Sequence, residues 1–276
     1  MITTDRVSAF DHILGTIPFK GEVLTQIAKF WFEKTKHIAP NHYISNPDPQ
    51  VLLTVKAKPL PVEIIIRGYI TGSLWREYSK EIKDQYGFKI PDNMVKDQKF
   101  EKPIITPTTK AQYGEHDEPI SKDKIISNLV EKNIYEKAEL YAMQLYQEGQ
   151  KWANKRGLIL VDTKYEFGMV GNELYVIDEI HTPDSSRYWV ASEYEDRFNM
   201  GENQKMLDKE NIRQWLIERG FSGEGPPPTL TDEIRVTLAE RYIELYNQLT
   251  GEKFNPIVGD VKSRIETNLK KAGVYA

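Results

Sequence analysis

The 276-residue sequence has no cysteine, which excludes disulfide frameworks, thiolate metal sites and cysteine nucleophiles together. A surplus of positive charge is also missing. Thirty-seven Lys and Arg against 41 Asp and Glu leave a net charge of −4, so composition gives no general electrostatic case for nucleic acid or an anionic membrane. A local anion site is still allowed. Apolar runs such as Ile64-Ile65-Ile66 are far too short to cross a bilayer, and the start Met1-Ile-Thr-Thr-Asp-Arg6 has no apolar signal core. A cytoplasmic protein is expected. The five histidines are scattered without ligand spacing, and there is no Walker loop, GxGxxG or GxSxG elbow. What is present is an ordinary globular composition, 28% charged and 39% apolar, in a chain long enough to bury a core without staples.

Periodicity divides the chain into mixed elements. Val23, Ile27, Phe30 and Trp31 fall at helical spacing within residues 23–37, and Ile134, Ala138, Tyr141, Leu145 and Trp152 predict a helix over 133–156 stopped by Gly157. Residues 51–55 and 62–67 read as strands, with Lys56 to Pro61 as a connecting hinge between them. Residues 87–120, punctuated by prolines, read as loop. Strands over 158–167 and 174–180 form a hairpin through Gly168 to Asn172. Further helices are expected from Asp208 to Gly220, from Thr231 through Leu249, and after Asp260.

Four groups of residues carry more charge than packing needs. In Asp162-Thr-Lys164-Tyr-Glu166, alternate residues share one strand face, so two carboxylates flank an ammonium; a solvated edge strand would look the same. Asp178 and Glu179 end an apolar run, where burial is costly without a compensating cation or hydrogen bonds. An odd-length loop would set Glu166 opposite Asp178, close enough to share magnesium, whereas a two-residue Gly171-Asn172 loop pairs Glu166 with Ile177. A shared metal therefore predicts the odd loop or a bulge. Glu63 and Arg67 lie on one face of an apolar strand, either paired with each other or functional. Gly68, Gly72 and Ser73, at a helix start, suit a phosphate, and the loop from His181 to Arg187 offers Asp184, hydroxyls and a guanidinium for a sugar phosphate or forms a simple Asp-Ser turn. The polar segments Asp5 to Asp11 and Thr106 to Asp117 are either plain loop or part of the same chemistry.

Leu60-Pro-Val-Glu-Ile-Ile-Ile-Arg-Gly-Tyr-Ile-Thr-Gly-Ser73 and Leu160-Val-Asp-Thr-Lys-Tyr-Glu-Phe-Gly168 resemble the two signature segments of the phosphoribosylaminoimidazole-succinocarboxamide synthase, or SAICAR synthetase, family. Asp5-Arg-Val-Ser-Ala-Phe-Asp11, Thr106 to Asp117 and Asp184-Ser-Ser-Arg187 match in family order. The resemblance implies an α+β fold of two lobes, with ATP between them. Residues 1–58 would form an antiparallel-sheet N-terminal lobe, and 59–276 a mixed C-terminal lobe with the ribonucleotide and magnesium sites and a C-terminal helical extension. It further implies an ATP-dependent ligase joining carboxyaminoimidazole ribonucleotide to L-aspartate through an acyl phosphate. By the same resemblance, Lys164 is catalytic at the nucleotide with Asp162 beside the ribonucleotide, and Glu166 and Asp178 hold magnesium. Arg67, Ser73, Asp184 and Arg187 hold the ribonucleotide, Lys58, Leu60 and Glu63 lie on the nucleotide side, and Ser8 and Asp11 face L-aspartate. The expected partners are these small molecules, with no nucleic acid or membrane; an oligomer is allowed but not predicted. Family members usually begin with a glycine- and lysine-containing hairpin over the ATP phosphates, whereas this sequence starts at Met1 just before the Asp-Arg-Val-Ser motif. The truncated N-terminal lobe leaves an alternative expectation, a purine-ribonucleotide-binding module without turnover.

Overall fold

The two strands that carry the charged motifs run side by side at the centre of the molecule. The computed structural model describes residues 1–274 except 11, 83, 111–116 and 208–209, so the predicted cap at Asp208 and the candidate Asp11 lie outside the described residues. The chain begins with a hairpin of β1 (Arg6–Ala9) and β2 (His12–Thr16), then α1 (Lys20–Thr35), a second hairpin of β3 (Tyr43–Asp48) and β4 (Val51–Thr54), and the long β5 (Lys58–Tyr69). Next come α2 (Gly72–Tyr78), β6 (Lys99–Ile105), β7 (Thr108–Thr109), α3 (Lys122–Asn128) and α4 (Lys132–Lys155). After them stand β8 (Leu158–Val170), β9 (Glu173–Ile177) and β10 (Ser186–Val190), then α5 (Tyr194–Met200), α6 (Glu210–Glu218), α7 (Asp232–Thr250) and α8 (Val261–Lys271). The fold is α+β.

The main sheet runs β10-β8-β5-β6, with β7 also on β5 and β9 on β8, and its pairs are antiparallel. Ile64, Ile66, Leu160 and Tyr165 face away from solvent because α4 lies across this face. The helix forms where the apolar spacing predicts it, and Gly157, at φ 70°, takes the left-handed turn that ends it. Gly149 lets α4 approach closely: a Cβ there would stand 2.5 Å from the His181 ring and 2.7 Å from Leu160. The same core takes in Val23, Ile27 and Trp31 of α1 and Tyr242, Leu245 and Leu249 of α7. Each such side chain removed from water contributes about 1.5–3 kcal/mol.

Two segments differ from the sequence reading. The expected hinge at Lys56 to Pro61 is only partly a connector, since β5 already begins at Lys58 and pairs Lys58 with Met169 and Pro59 with Gly168. The prolines fall at the start of the strand, where the ladder to β8 is irregular between Pro59 and Glu63. Within 87–120, β6 and β7 add two short strands to the sheet. No helix among the described residues is long and apolar enough to cross a membrane.

Candidate active site

Register builds one end of the site. Arg67 on β5 stands opposite Asp162 on β8, and Asp162 is opposite Arg187 on β10, so three adjacent strands deliver two guanidiniums to one carboxylate. Arg67 Nη1 meets Asp162 Oδ2 at 3.3 Å, and Arg187 Nη1 donates to the same oxygen. Arg67 is further fixed by donating through Nε to Thr106 Oγ1 at 2.7 Å and through Nη2 to Ser73 Oγ at 3.4 Å. Both Arg67 and Asp162 are buried, so each depends on its partner for compensation. Gly72, at φ 57°, is required beside them, because a Cβ would lie 2.2 Å from Arg187 Nη2. These residues open onto a cavity of about 190 Å³ whose lining includes Arg67, Ser73, Asp162, Lys164, Asp184 and Arg187, six positions named from sequence, together with Arg213. Four cations against two carboxylates on its wall favour an anionic occupant.

The other end is built from β5 and β8 two and four residues further along. Lys164 Nζ donates to Glu63 Oε1 at 2.6 Å and to Glu166 Oε1 at 3.3 Å, while Lys110 pairs with Glu166 Oε2. The sequence alternative in which Glu63 pairs with Arg67 is therefore wrong: four residues along a strand separate them by about 13 Å, and each finds its partner on β8. Burial pushes Glu63 up to about 7, against the pull of Lys164 and with Glu166 adding to the rise. Burial pulls Lys164 down, but Glu63 and Glu166 outweigh it and hold the ammonium above its ordinary value. Burial also pushes Glu166 up, and Lys164 and Lys110 reverse the sign, leaving this carboxyl below the usual range. Asp178 is raised by burial and by Glu166, and Glu179 is raised to about 7 by burial, Asp184 and Asp178.

The predicted odd-length loop is not what joins β8 and β9. Gly171 and Asn172 form a two-residue turn, with Val170 opposite Glu173 and Glu166 opposite Ile177. The chain reverses at Gly171, φ 60°, which accounts for the tight turn. Asp178 is brought toward Glu166 by another route: β9 stops at Ile177, and Asp178 itself takes φ 65° as the chain leaves the sheet. Among the described residues, no group of three or more His, Cys, Asp and Glu side chains stands ready to hold a metal ion.

A second cavity, about 440 Å³, adjoins the first through Asp184 and is lined by Ser8, Lys20, Asp178 and Glu179 among others. Ser8 lies in β1 rather than in plain loop. Lys20, buried at the first position of α1, reaches Asp184 Oδ2 at 2.7 Å, and Tyr242 on α7 donates to Asp184 Oδ1 at 2.8 Å. Lys58 and Leu60 line neither cavity: Lys58 is exposed at the start of β5, and Leu60 belongs to the core. Sequence reasoning missed Lys20 and Arg213, and singled out Thr106 and Lys110 only as members of a polar segment, without their individual roles. For Lys20 the available signal was a lysine directly preceding an apolar helical stripe; the others meet the site only through tertiary packing.

A family model described as SAICAR synthetase matches residues 1–227 of the chain. A phosphoribosylaminoimidazole-succinocarboxamide synthase from Bacteroides fragilis is 48% identical over 274 residues, covering 98% of this chain and 87% of the relative. The enzyme of that name from Cytophaga hutchinsonii is 48% identical over 277 residues, covering 99% and 89%. Among solved structures, the SAICAR synthase from Saccharomyces cerevisiae complexed with SAICAR is similar with a TM-score of 0.79 and 34% identity, over 92% of this chain and 89% of that one.

Proposed function

The chain belongs to the SAICAR synthetase family, and from that premise we propose how its residues divide the labour of the reaction. It is an ATP-dependent ligase of purine biosynthesis. In the proposed reaction the carboxylate of carboxyaminoimidazole ribonucleotide attacks the γ-phosphorus of ATP, ADP departs, and an acyl phosphate forms. The amine of L-aspartate then adds to the acyl carbon, inorganic phosphate leaves with the C–O bonding pair, and the nitrogen loses its proton to give the amide. The observation that carries this reading is the Arg67–Asp162–Arg187 triplet opening on a cavity with Ser73 and Arg213.

Asp162 holds the two guanidiniums at fixed spacing, so Arg67, Arg187 and Ser73 receive the phosphate and carboxylate of the ribonucleotide without rearrangement. Lys164, kept charged by Glu63 and Glu166, presents a fixed ammonium to the phosphoryl oxygens as negative charge builds there. Asp184, shared by both cavities, marks the passage between ribonucleotide and the amine, and Ser8 stands on the L-aspartate side with Asp11 as its expected companion. Glu166 and Asp178 present only oxygen donors, and Glu166 raises the cost of ionising Asp178, which suits a hard divalent cation. Glu166 and Asp178 would hold magnesium, which would supply charge neutralisation between ATP and the carboxylate. The adenine contact at Lys58 to Leu60, the division into lobes at residues 58 and 59 with ATP between them, and a cytoplasmic location belong to the same proposal. A binding module without turnover is not favoured, because relatives of 48% identity carry the enzyme's name.

The test is ADP release with ATP, magnesium, carboxyaminoimidazole ribonucleotide and L-aspartate, omitting each in turn. Release that needs all four and yields the succinocarboxamide is expected. Release indifferent to the ribonucleotide contradicts the reading.

A further inference from the structure

The helix α8 lies beyond the residues matched by the family model, yet it completes a buried charge network at the start of α1. Glu22, only 2% exposed in the first turn of α1, accepts hydrogen bonds from the Ile257 N–H at 3.4 Å and from Arg264 Nη1. Asp48, buried at the end of β3, accepts from Arg264 Nε at 3.1 Å, Arg264 Nη2 at 3.3 Å and Asn268 Nδ2 at 2.7 Å. Arg264 Nη2 also donates to Gln50 Oε1 at 2.6 Å. The Gln50 amide passes the contact on to the Thr3 carbonyl at 3.2 Å and the Asp5 carboxylate at 3.4 Å, and Asp5 accepts from the Gly21 N–H at 2.8 Å. A Cβ on Gly21 would stand 2.4 Å from Gln50 and 2.7 Å from the Thr3 carbonyl, so the network touches the helix backbone directly. One residue before Gly21 is Lys20, whose ammonium meets Asp184 in the substrate cavities.

Two buried carboxylates need a cation, and one planar guanidinium serves both together with an amide oxygen. A lysine ammonium in the same place is a point charge and does not span three acceptors in one plane. We propose that Arg264 is a positioning residue for the ligase reaction: through Glu22, Asp48 and Gln50 it fixes the first turn of α1, and so holds Lys20 on Asp184 where the ribonucleotide is bound. This rests on the reading of Asp184 as a substrate-holding group.

The experiment measures kcat, the three KM values and the melting temperature of the full chain and its variants. Arg264→Ala is expected to raise the ribonucleotide KM at least tenfold while the ATP KM stays within threefold, and Arg264→Lys to restore only part of the loss. In a Lys20→Met background, adding Arg264→Ala raises the ribonucleotide KM no further, because the path is already cut. Lys262→Ala, an exposed neighbour on α8, leaves every parameter unchanged. If Arg264→Ala lowers the melting temperature but all three KM values remain those of the wild type, α8 is a structural brace only and the proposal is overturned. Should Arg264→Ala fail to fold, the double variant Glu22→Gln/Arg264→Gln removes a buried carboxylate with its cation, and an unchanged ribonucleotide KM there overturns it equally. Asp184→Asn separates the two layers of the argument. A raised KM in Asp184→Asn with a wild-type KM in Arg264→Ala rejects only the role of Arg264, whereas a wild-type KM in Asp184→Asn rejects the reading of Asp184 and the proposal with it.

Discussion

The two ends of the site lie on the same strands and handle charge in opposite ways. At the end proposed for the ribonucleotide, Asp162 is shared by Arg67 and Arg187, and Arg67 is further seated on Thr106 and Ser73. At the other end burial raises Glu63, Asp178 and Glu179 above their ordinary values, while Lys164 and Lys110 hold Glu166 below its own. The first end is a finished arrangement of donors that can accept an anion as it stands. The second crowds four carboxyls around two lysines that hold only Glu166 below its ordinary value, and the cation proposed there would ease the other three. One antiparallel pair, β5 on β8, supplies both: Arg67 with Asp162 at one point and Glu63 with Glu166 four residues away.

Substitutions that remove the second end's proposed metal donors should have the largest effect. Glu166→Gln or Asp178→Asn is expected to reduce magnesium-dependent turnover roughly 10²–10³-fold or more while the melting curve stays cooperative; retained activity in both variants removes the metal assignment. Arg67→Ala acts at the first end. Truncating one partner of a buried charge pair costs about 2–5 kcal/mol, so the ribonucleotide KM should rise roughly 30-fold or more, with a smaller change for ATP. Equal losses for the two substrates would show that the whole site had collapsed.

A smaller effect concerns stability. Glu179 titrates near 7 in the folded protein, above its unfolded value, so its contribution is fully present below about 4.5 and is lost as pH rises through about 7. Without metal, Glu179→Gln should therefore be more stable than the wild type at pH 8 and lose that advantage at pH 5. Chemical denaturation at the two pH values measures it, and an advantage that persists at pH 5 contradicts the sign. The smallest effect belongs to an exposed pair away from both ends. Asp92→Asn, which removes the Lys89–Asp92 contact at 2.6 Å, should change stability by less than about 0.5 kcal/mol and leave all KM values unchanged.

Sequence made some of this legible and hid the rest for identifiable reasons. The helix α4 and the strands β5 and β8 show in local periodicity, because their apolar faces repeat at 3.6 and 2 residues. The signature residues Arg67, Ser73, Asp162, Lys164, Asp184 and Arg187 do converge on one cavity. The approach of Asp178 to Glu166 was misread, because it depends on one left-handed residue after the strand rather than on hairpin length. Asp is one of the few non-glycine residues that visits that conformation readily, but nothing in the sequence says when. Lys110 and Lys20 reach the site from segments 56 and 164 residues away from their partners, a separation no local pattern encodes. The helix after Asp260 was visible as a helix and not as a clamp, since Arg264 finds Glu22 and Asp48 only once α8 packs beside β3.

The contrast between the two ends is tested most directly by calorimetric titration of carboxyaminoimidazole ribonucleotide into Arg67→Ala and Glu166→Gln, without ATP or magnesium. Affinity is predicted to fall at least tenfold in Arg67→Ala and to stay within threefold of the wild type in Glu166→Gln. Equal loss in the two variants would contradict the division of the site into an anion-holding end and a cation-seeking end.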